Sequence, residues 1–266
     1  MMVRIVLLCT LWFGSVAVLA NENRDLLQKK GATVDVKASL ISKESWIQYP
    51  AYTDRAGWDL LTGSAKKDII ELGEKYLSHE WKVIKATDYL EFERSGDRVI
   101  MQNTFNANFT ALSTLIFAEL SEGKGRFLDQ IINGIWNACD MPSWALSAHL
   151  VTQQSRRSLP DFNEQIIDHA SGDIGAMCSW TYYFLHAEFD KVNPVISRRI
   201  RKEVQDRILT PYTTRDDFFW QALKANPNTV VNNWNPWCNS NVLTCFLLIE
   251  DKRCADRSGI ADHAIS

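Results

Sequence analysis

The chain has 266 residues, a formal net charge of −3 and a hydrophobic share of 46%. That near-neutral balance lacks the basic excess of a nucleic-acid-binding surface, while the apolar share is enough for a sizeable core. The six cysteines include no C-x-x-C pair, so neither a disulfide framework nor a zinc site is specified, and no metal or cofactor is expected.

In chain order, residues 1–20 come first. Arg4 precedes an almost unbroken apolar run from Ile5 to Val18, and Val18-Leu19-Ala20 ends it with an A-x-A-like signal. This pattern predicts a secretory signal peptide cleaved after Ala20, export to the periplasm or medium, and no membrane insertion of the mature chain. Residues 21–266 then form one domain, since no low-complexity or Pro/Gly-rich boundary divides them.

Helical periodicity dominates that domain. Apolar stripes run along Lys66–Trp81 (Ile69, Ile70, Leu72, Tyr76, Leu77), Phe105–Leu120 (Phe109, Leu112, Ile116) and Phe127–Cys139 (Ile131, Ile132, Ile135). Further helices are predicted over Asp173–Phe189, over Val195–Leu209 entered through Asn193-Pro194, over Thr214–Ala225 opened by a Thr-x-x-Asp box, and over Asn239–Glu250. Only Tyr89–Phe92 and Val99–Met101 read as strands. Short linkers such as Ser121–Gly125 and Asn226–Asn228 favour antiparallel neighbours. The expectation is an all-α domain: a bundle, a solenoid or an α/α toroid. No 34- or 40-residue repeat supports the solenoid.

Ten tryptophans are many for a helical domain, and indole faces stack on the C–H faces of sugar rings. Trp136 and Trp180, inside amphipathic runs, are expected in the core. Trp144, Trp234 and Trp237 lie beside loops and are the cleft candidates. The remaining cysteines (Cys139, Cys178, Cys238, Cys245 and Cys254) are expected to be mostly buried.

Residues 232–241, NNWNPWCNSN, combine amides, two indoles and a thiol without hydrophobic period. Asn donates and accepts hydrogen bonds without charge, which suits a sugar bearing hydroxyls and a carboxylate; the alternative is a loop whose amides tie down its own backbone. His149 is either a general acid or base at a cleft rim, after the break at Met141-Pro142-Ser143, or a structural hydrogen-bonding residue. His169 competes with Asp168, Ser171 and Asp173 at a helix start, where a structural role is favoured. Asp140 suits a sugar hydroxyl or a helix cap. The sequon Asn108-Phe109-Thr110 lies within a predicted helix, which argues against its glycosylation.

The segments YPAYTDRAGWD (49–59), ATDYLEFERSGDR (86–98), WNACDMPSWALSAHL (136–150), LPDFNEQIIDHASGDIGAMCSWTYYFL (159–185) and NNWNPWCNSNVL (232–243) resemble the N-terminal part of heparinase II/III-like polysaccharide lyases. The resemblance implies an α/α toroid followed by β-sandwich layers, and cleavage of an acidic, uronate-containing polysaccharide such as a glycosaminoglycan by β-elimination. It carries a carboxylate-neutralising role onto Asn233, with Asn232 and Asn235 beside it, and sugar contacts onto Trp234, Trp237 and Trp144. Asn suits that role because a neutral donor stabilises charge that grows in the transition state without a tight ground-state ion pair. The family's catalytic Tyr lies downstream of the Asn-rich stretch, and Tyr182, Tyr183 and Tyr212 stand outside its motif. The chain is therefore expected to be a fragment: an incomplete toroid without the sandwich, inactive alone. The other readings are an inactive carbohydrate-binding remnant or an α/α-toroid glycoside hydrolase with paired acids.

Overall fold

The chain divides into two compact units, Met1–Ser42 and Lys43–Ser266. The computed structural model describes residues 49–223 and 230–249 of the second and the single residues Lys29 and Thr33 of the first. The expected signal segment, Trp46, Cys254, the Asn226–Asn228 linker and the chain's last residues lie outside the described residues.

The second unit is all-α, with no strand among its described residues. Its helices are α1 (Arg55–Thr62), α2 (Lys66–Glu74), α3 (Ala86–Ser95), α4 (Val99–Glu122), α5 (Leu128–Asp140), α6 (His169–Val192), α7 (Val195–Val204), α8 (Thr210–Thr214) and α9 (Trp234–Ile249), with short 3-10 turns at Gly63–Ala65, Leu150–Thr152 and Phe219–Gln221.

Both predicted strands are helical, because local caps outweigh β-propensity. Tyr89–Phe92 lies within α3: the Asp88 carboxylate accepts the Lys85 N–H at 2.9 Å, satisfying a donor the first turn cannot, and Gly96 ends the helix at φ 79°. Val99–Met101 is the first turn of α4, where Asp97 Oδ1 accepts the Val99 N–H at 2.6 Å.

The predicted helix over Thr214–Ala225 does not form; beyond Thr214 the described chain makes one 3-10 turn. Its capping box is disarmed. Asp217 is held by the Arg215 guanidinium at 2.8 and 3.0 Å, and Thr214 bonds back to the Thr210 carbonyl at 2.8 Å. Over 205–209 the backbone widens into a π-turn leading to Pro211; proline has no N–H and crowds the carbonyl four residues before it. At the next junction Asn193 accepts the Val195 N–H at 3.0 Å, so Asn193-Pro194 opens α7 as its sequence suggests.

Packing is dense, and α9 runs parallel to α6, with Asn241 meeting Gly172 and Cys245 meeting Gly175. α4 lies against α2 and α5, and α6 against α9 and α7, around one contiguous core from Trp58 to Ile249. Two glycines permit close approaches between helices. A Cβ on Gly73 would stand 2.2 Å from Ala118 Cβ, and one on Gly175 would stand 2.8 Å from Ile208 Cγ1. The helix predicted over Lys66–Trp81 stops at Glu74 because the following chain is pinned by buried Asn108. Its amide accepts from Lys82 N at 3.2 Å and donates to Lys82 O at 2.7 Å. Buried Glu119 fixes the α4–α5 turn, accepting from Tyr52 Oη at 2.6 Å, Gly125 N at 2.7 Å and Phe127 N at 3.1 Å.

The described cysteines, Cys139, Cys178, Cys238 and Cys245, are buried free thiols. Burial pushes Cys139 and Cys245 up to about 12 and raises Cys178 and Cys238 as well, which leaves them inert packing groups. Trp136 departs from its expected core position: it is 39% exposed, on the α5 face opposite Ile131 and Ile135. No helix among the described residues is long and apolar enough to cross a membrane.

Candidate active site

The connection from α5 to α6 is irregular yet firmly held. Gln153, fully buried, donates to the carbonyls of Arg157 and Leu159 and accepts from Asp161 N, while Glu93 accepts from Ser158 N at 2.7 Å and from Arg157 Nε at 2.7 Å. The Arg157 guanidinium and the Ser158 N–H hold the Glu93 carboxyl down at about 2. At the two ends of this connection stand His149 and Asp168.

Asp168 is fully buried and caps α6. Its Oδ1 accepts the Ser171 N–H at 2.7 Å, and its Oδ2 accepts the Leu146 N–H at 3.1 Å and lies 2.6 Å from His149 Nδ1. Because an ionised carboxylate can only accept, the Nδ1 that faces Asp168 carries a proton, and Nε2 is turned to the other side of the ring. Nε2 faces Arg98 Nη2 at 3.5 Å. With its amide oxygen toward Arg98, Gln102 accepts from Nε at 2.6 Å and Nη2 at 2.9 Å.

Arg98, Gln102 and His149 line a cleft of about 580 Å³ between α4, the His149 loop and the N-terminal turns of α6 and α9. One wall is aromatic. The His169 ring lies 4.3 Å from Trp234 and 4.8 Å from Trp237, and Trp234 stands 4.7 Å from His149, centroid to centroid. Burial lowers the His169 pKa, opposed by the charge of Asp168, and its Nε2 is buried without a hydrogen-bond partner. Among the described residues Asp173 is the one carboxylate lining the cleft; its Oδ1 accepts from Trp237 Nε1 and Asn241 Nδ2, both at 2.7 Å.

The Asn/Trp stretch is mostly the first turns of α9, not a loop. Asn232 Oδ1 accepts the Trp234 N–H at 3.0 Å, Pro236 falls in the first turn, where its missing N–H costs nothing, and Cys238 is buried. Asn235 Nδ2 donates to Trp220 O at 2.7 Å, anchoring the helix start. Asn233 is exposed beside the cleft's Trp234, and its carbonyl accepts the Trp237 N–H.

Of the residues singled out in the sequence, His149, Trp234 and Trp237 thus come together in one cleft, while Asn233 does not line it and is exposed next to Trp234 in the chain. Trp144 does not join them: it is 1% exposed, with Nε1 bonded to Ala138 O at 2.9 Å and Arg207 over its ring, so no sugar reaches its face. Arg98, Gln102 and Asp168's second role were missed. An arginine just before an apolar helix carries no signal, and Asp168 read only as a cap.

Among the described residues no group of His, Cys, Asp or Glu side chains is placed to hold a metal ion. A polarised imidazole, a cation and a stacking wall together suit proton transfer on an anionic, ring-shaped ligand. Compared with models of known protein families and with curated proteins, the chain matches none.

Proposed function

We propose that this is an exported polysaccharide lyase of heparinase II/III type, acting in the periplasm or medium on a uronate-containing polysaccharide, with its helices forming part of an α/α toroid. The observation that carries the reading is the His149–Asp168 pair, which turns Nε2 toward a cleft that also holds Arg98 and two indoles.

In this reading a uronate ring stacks on Trp234 or Trp237 and its carboxylate meets Arg98, with the Asn233 amide donating from the rim. Both donors stabilise the charge that builds on the carboxylate as the adjacent C–H is broken. His149 Nε2 takes that proton, the ring C=C bond forms, and the glycosidic C–O bond breaks. The imidazolium then returns the proton to the departing oxygen on the same face. Asp168 steadies the imidazolium between the two transfers. A paired-acid hydrolase is less favoured, since Asp173 is the cleft's one carboxylate among the described residues and two protein donors already occupy its Oδ1.

No tyrosine lines the cleft among the described residues, which favours a second reading in which the chain binds acidic polysaccharide without cleaving it. One assay separates the two. The purified chain is mixed with heparan sulfate, chondroitin sulfate or hyaluronan, and the ultraviolet absorbance of unsaturated uronate is followed alongside binding. Steady product formation that is lost in His149→Ala supports the lyase. Binding without product supports the remnant, and neither binding nor product overturns both.

A further inference from the structure

On the outer face of α5 lies a second cavity of about 630 Å³ that shares no residue with the His149 cleft. Its apolar surface comes from Trp136, Trp81, Ile132, Val83 and Val195, and its rim from Asn133, Asn137, Asp140 and Asn193. Core packing does not account for Trp136. Ile131, Ile135 and Cys139 bury the other face of α5, while 39% of Trp136 remains open.

The indole is nevertheless held in place. Arg199 lies 5.4 Å from its centroid and is itself tied to Glu203 at 2.7 Å, Asp140 at 3.1 Å and Cys139 O at 3.1 Å. A fixed aromatic plate loses little entropy when a ligand stacks on it. The Trp81 N–H is spent on Gln130 Oε1 at 2.7 Å, leaving its ring as an apolar wall. The Asn133 side chain makes no hydrogen bond among the described residues, so both its donors and its acceptor are open to a ligand.

We infer that this groove binds an uncharged pyranose segment, with a C–H face on Trp136 and hydroxyls on Asn133 and Asp140. Charge separates it from the His149 cleft. The charged group on its rim is the Asp140 carboxylate, already balanced by Arg199, so a polyanion gains nothing there, whereas a carboxylate accepts well from hydroxyls. The inference stands on the groove's own residues and is independent of the chemistry proposed for His149.

Affinity electrophoresis tests it, in native gels containing xyloglucan, galactomannan or starch and, separately, chondroitin sulfate. The wild-type chain is expected to be retarded by at least one neutral polysaccharide, and Trp136→Ala to weaken that retardation about tenfold while migrating like wild type in the chondroitin gel. Asn133→Ala, at an exposed position without protein partners, is expected to weaken neutral binding at unchanged thermal stability. Absence of retardation by all three neutral polysaccharides, retardation by chondroitin alone, or neutral binding equal in both variants and wild type would overturn the inference.

Discussion

His149 Nδ1 lies 2.6 Å from Asp168 Oδ2, and the carboxylate that holds the imidazole also caps α6 through the Ser171 N–H. One buried group therefore fixes both a helix start and the tautomer of the cleft's histidine. Asp168→Asn separates the two. An amide retains one acceptor but sets an N–H against donors, so about 1–3 kcal/mol of stability is expected to be lost. Turnover on a cleaved polysaccharide should fall about 100-fold or more. Nitrogen NMR of His149 should show Nε2–H gaining population; an unchanged tautomer would refute the positioning role.

Arg98 is exposed, and its guanidinium is oriented by Gln102. Arg98→Ala is expected to weaken uronate oligosaccharides about tenfold or more and leave uncharged sugars unaffected, since a charged hydrogen bond contributes about 1.5–3 kcal/mol. Arg98→Lys should restore part of the binding, because an ammonium keeps the charge but loses the planar fork. Calorimetric titration with both ligand types reads this directly. Equal loss for charged and uncharged sugars would contradict it.

Asn233 and Asn235 stand two residues apart and should respond differently. Asn235→Ala removes the bond to Trp220 O and is expected to lower stability by about 1 kcal/mol, with a matching fall in the denaturant midpoint. Asn233→Ala leaves the fold untouched and lowers turnover. Full retention of activity in Asn233→Ala would remove this residue from the mechanism.

Acid should destabilise the protein in two separate windows. Burial lowers the His169 pKa below its ordinary 6.5. The unfolded chain then binds the proton first, so stability is complete above that value and falls as the pH drops through it. His169→Gln should flatten urea midpoints across that range. Glu93 acts lower: its carboxyl is held at about 2 against an ordinary 4.5, so its contribution is present above 4.5 and lost as the pH falls toward 2. Arg157→Ala should weaken that second dependence, the Ser158 bonds remaining. A His169→Gln profile that parallels wild type would contradict the first assignment.

Asn108 is 3% exposed and bonded to both the backbone N–H and the carbonyl of Lys82. Asn108→Ala is expected to cost about 2–3 kcal/mol, because the partners it leaves are part-buried. The same burial closes the Asn108 sequon to modification in the folded chain. A thermal melt of the variant tests the magnitude, and an unchanged midpoint would contradict it.

Much of the helical plan was legible from apolar spacing. The stripe over Phe105–Leu120 lies within α4, that over Phe127–Cys139 matches α5 from its N-cap Phe127 onward, and Asn193-Pro194 opens α7. Errors arose where one side chain had two possible partners. Asp217 spelled a cap but pairs with Arg215, and Val99 spelled a strand but follows the cap of Asp97.

The sequence by itself determined the all-α character of the described residues and pointed to His149, Trp234 and Trp237, since periodicity and residue chemistry are local properties. Only the tertiary structure decided that these residues share one cleft with Arg98, that Trp144 is core and Trp136 surface, and that Asp168 reaches back to His149. Those facts depend on which helix faces meet and on which of several donors a buried carboxylate accepts, and both are set by packing between segments far apart in the chain.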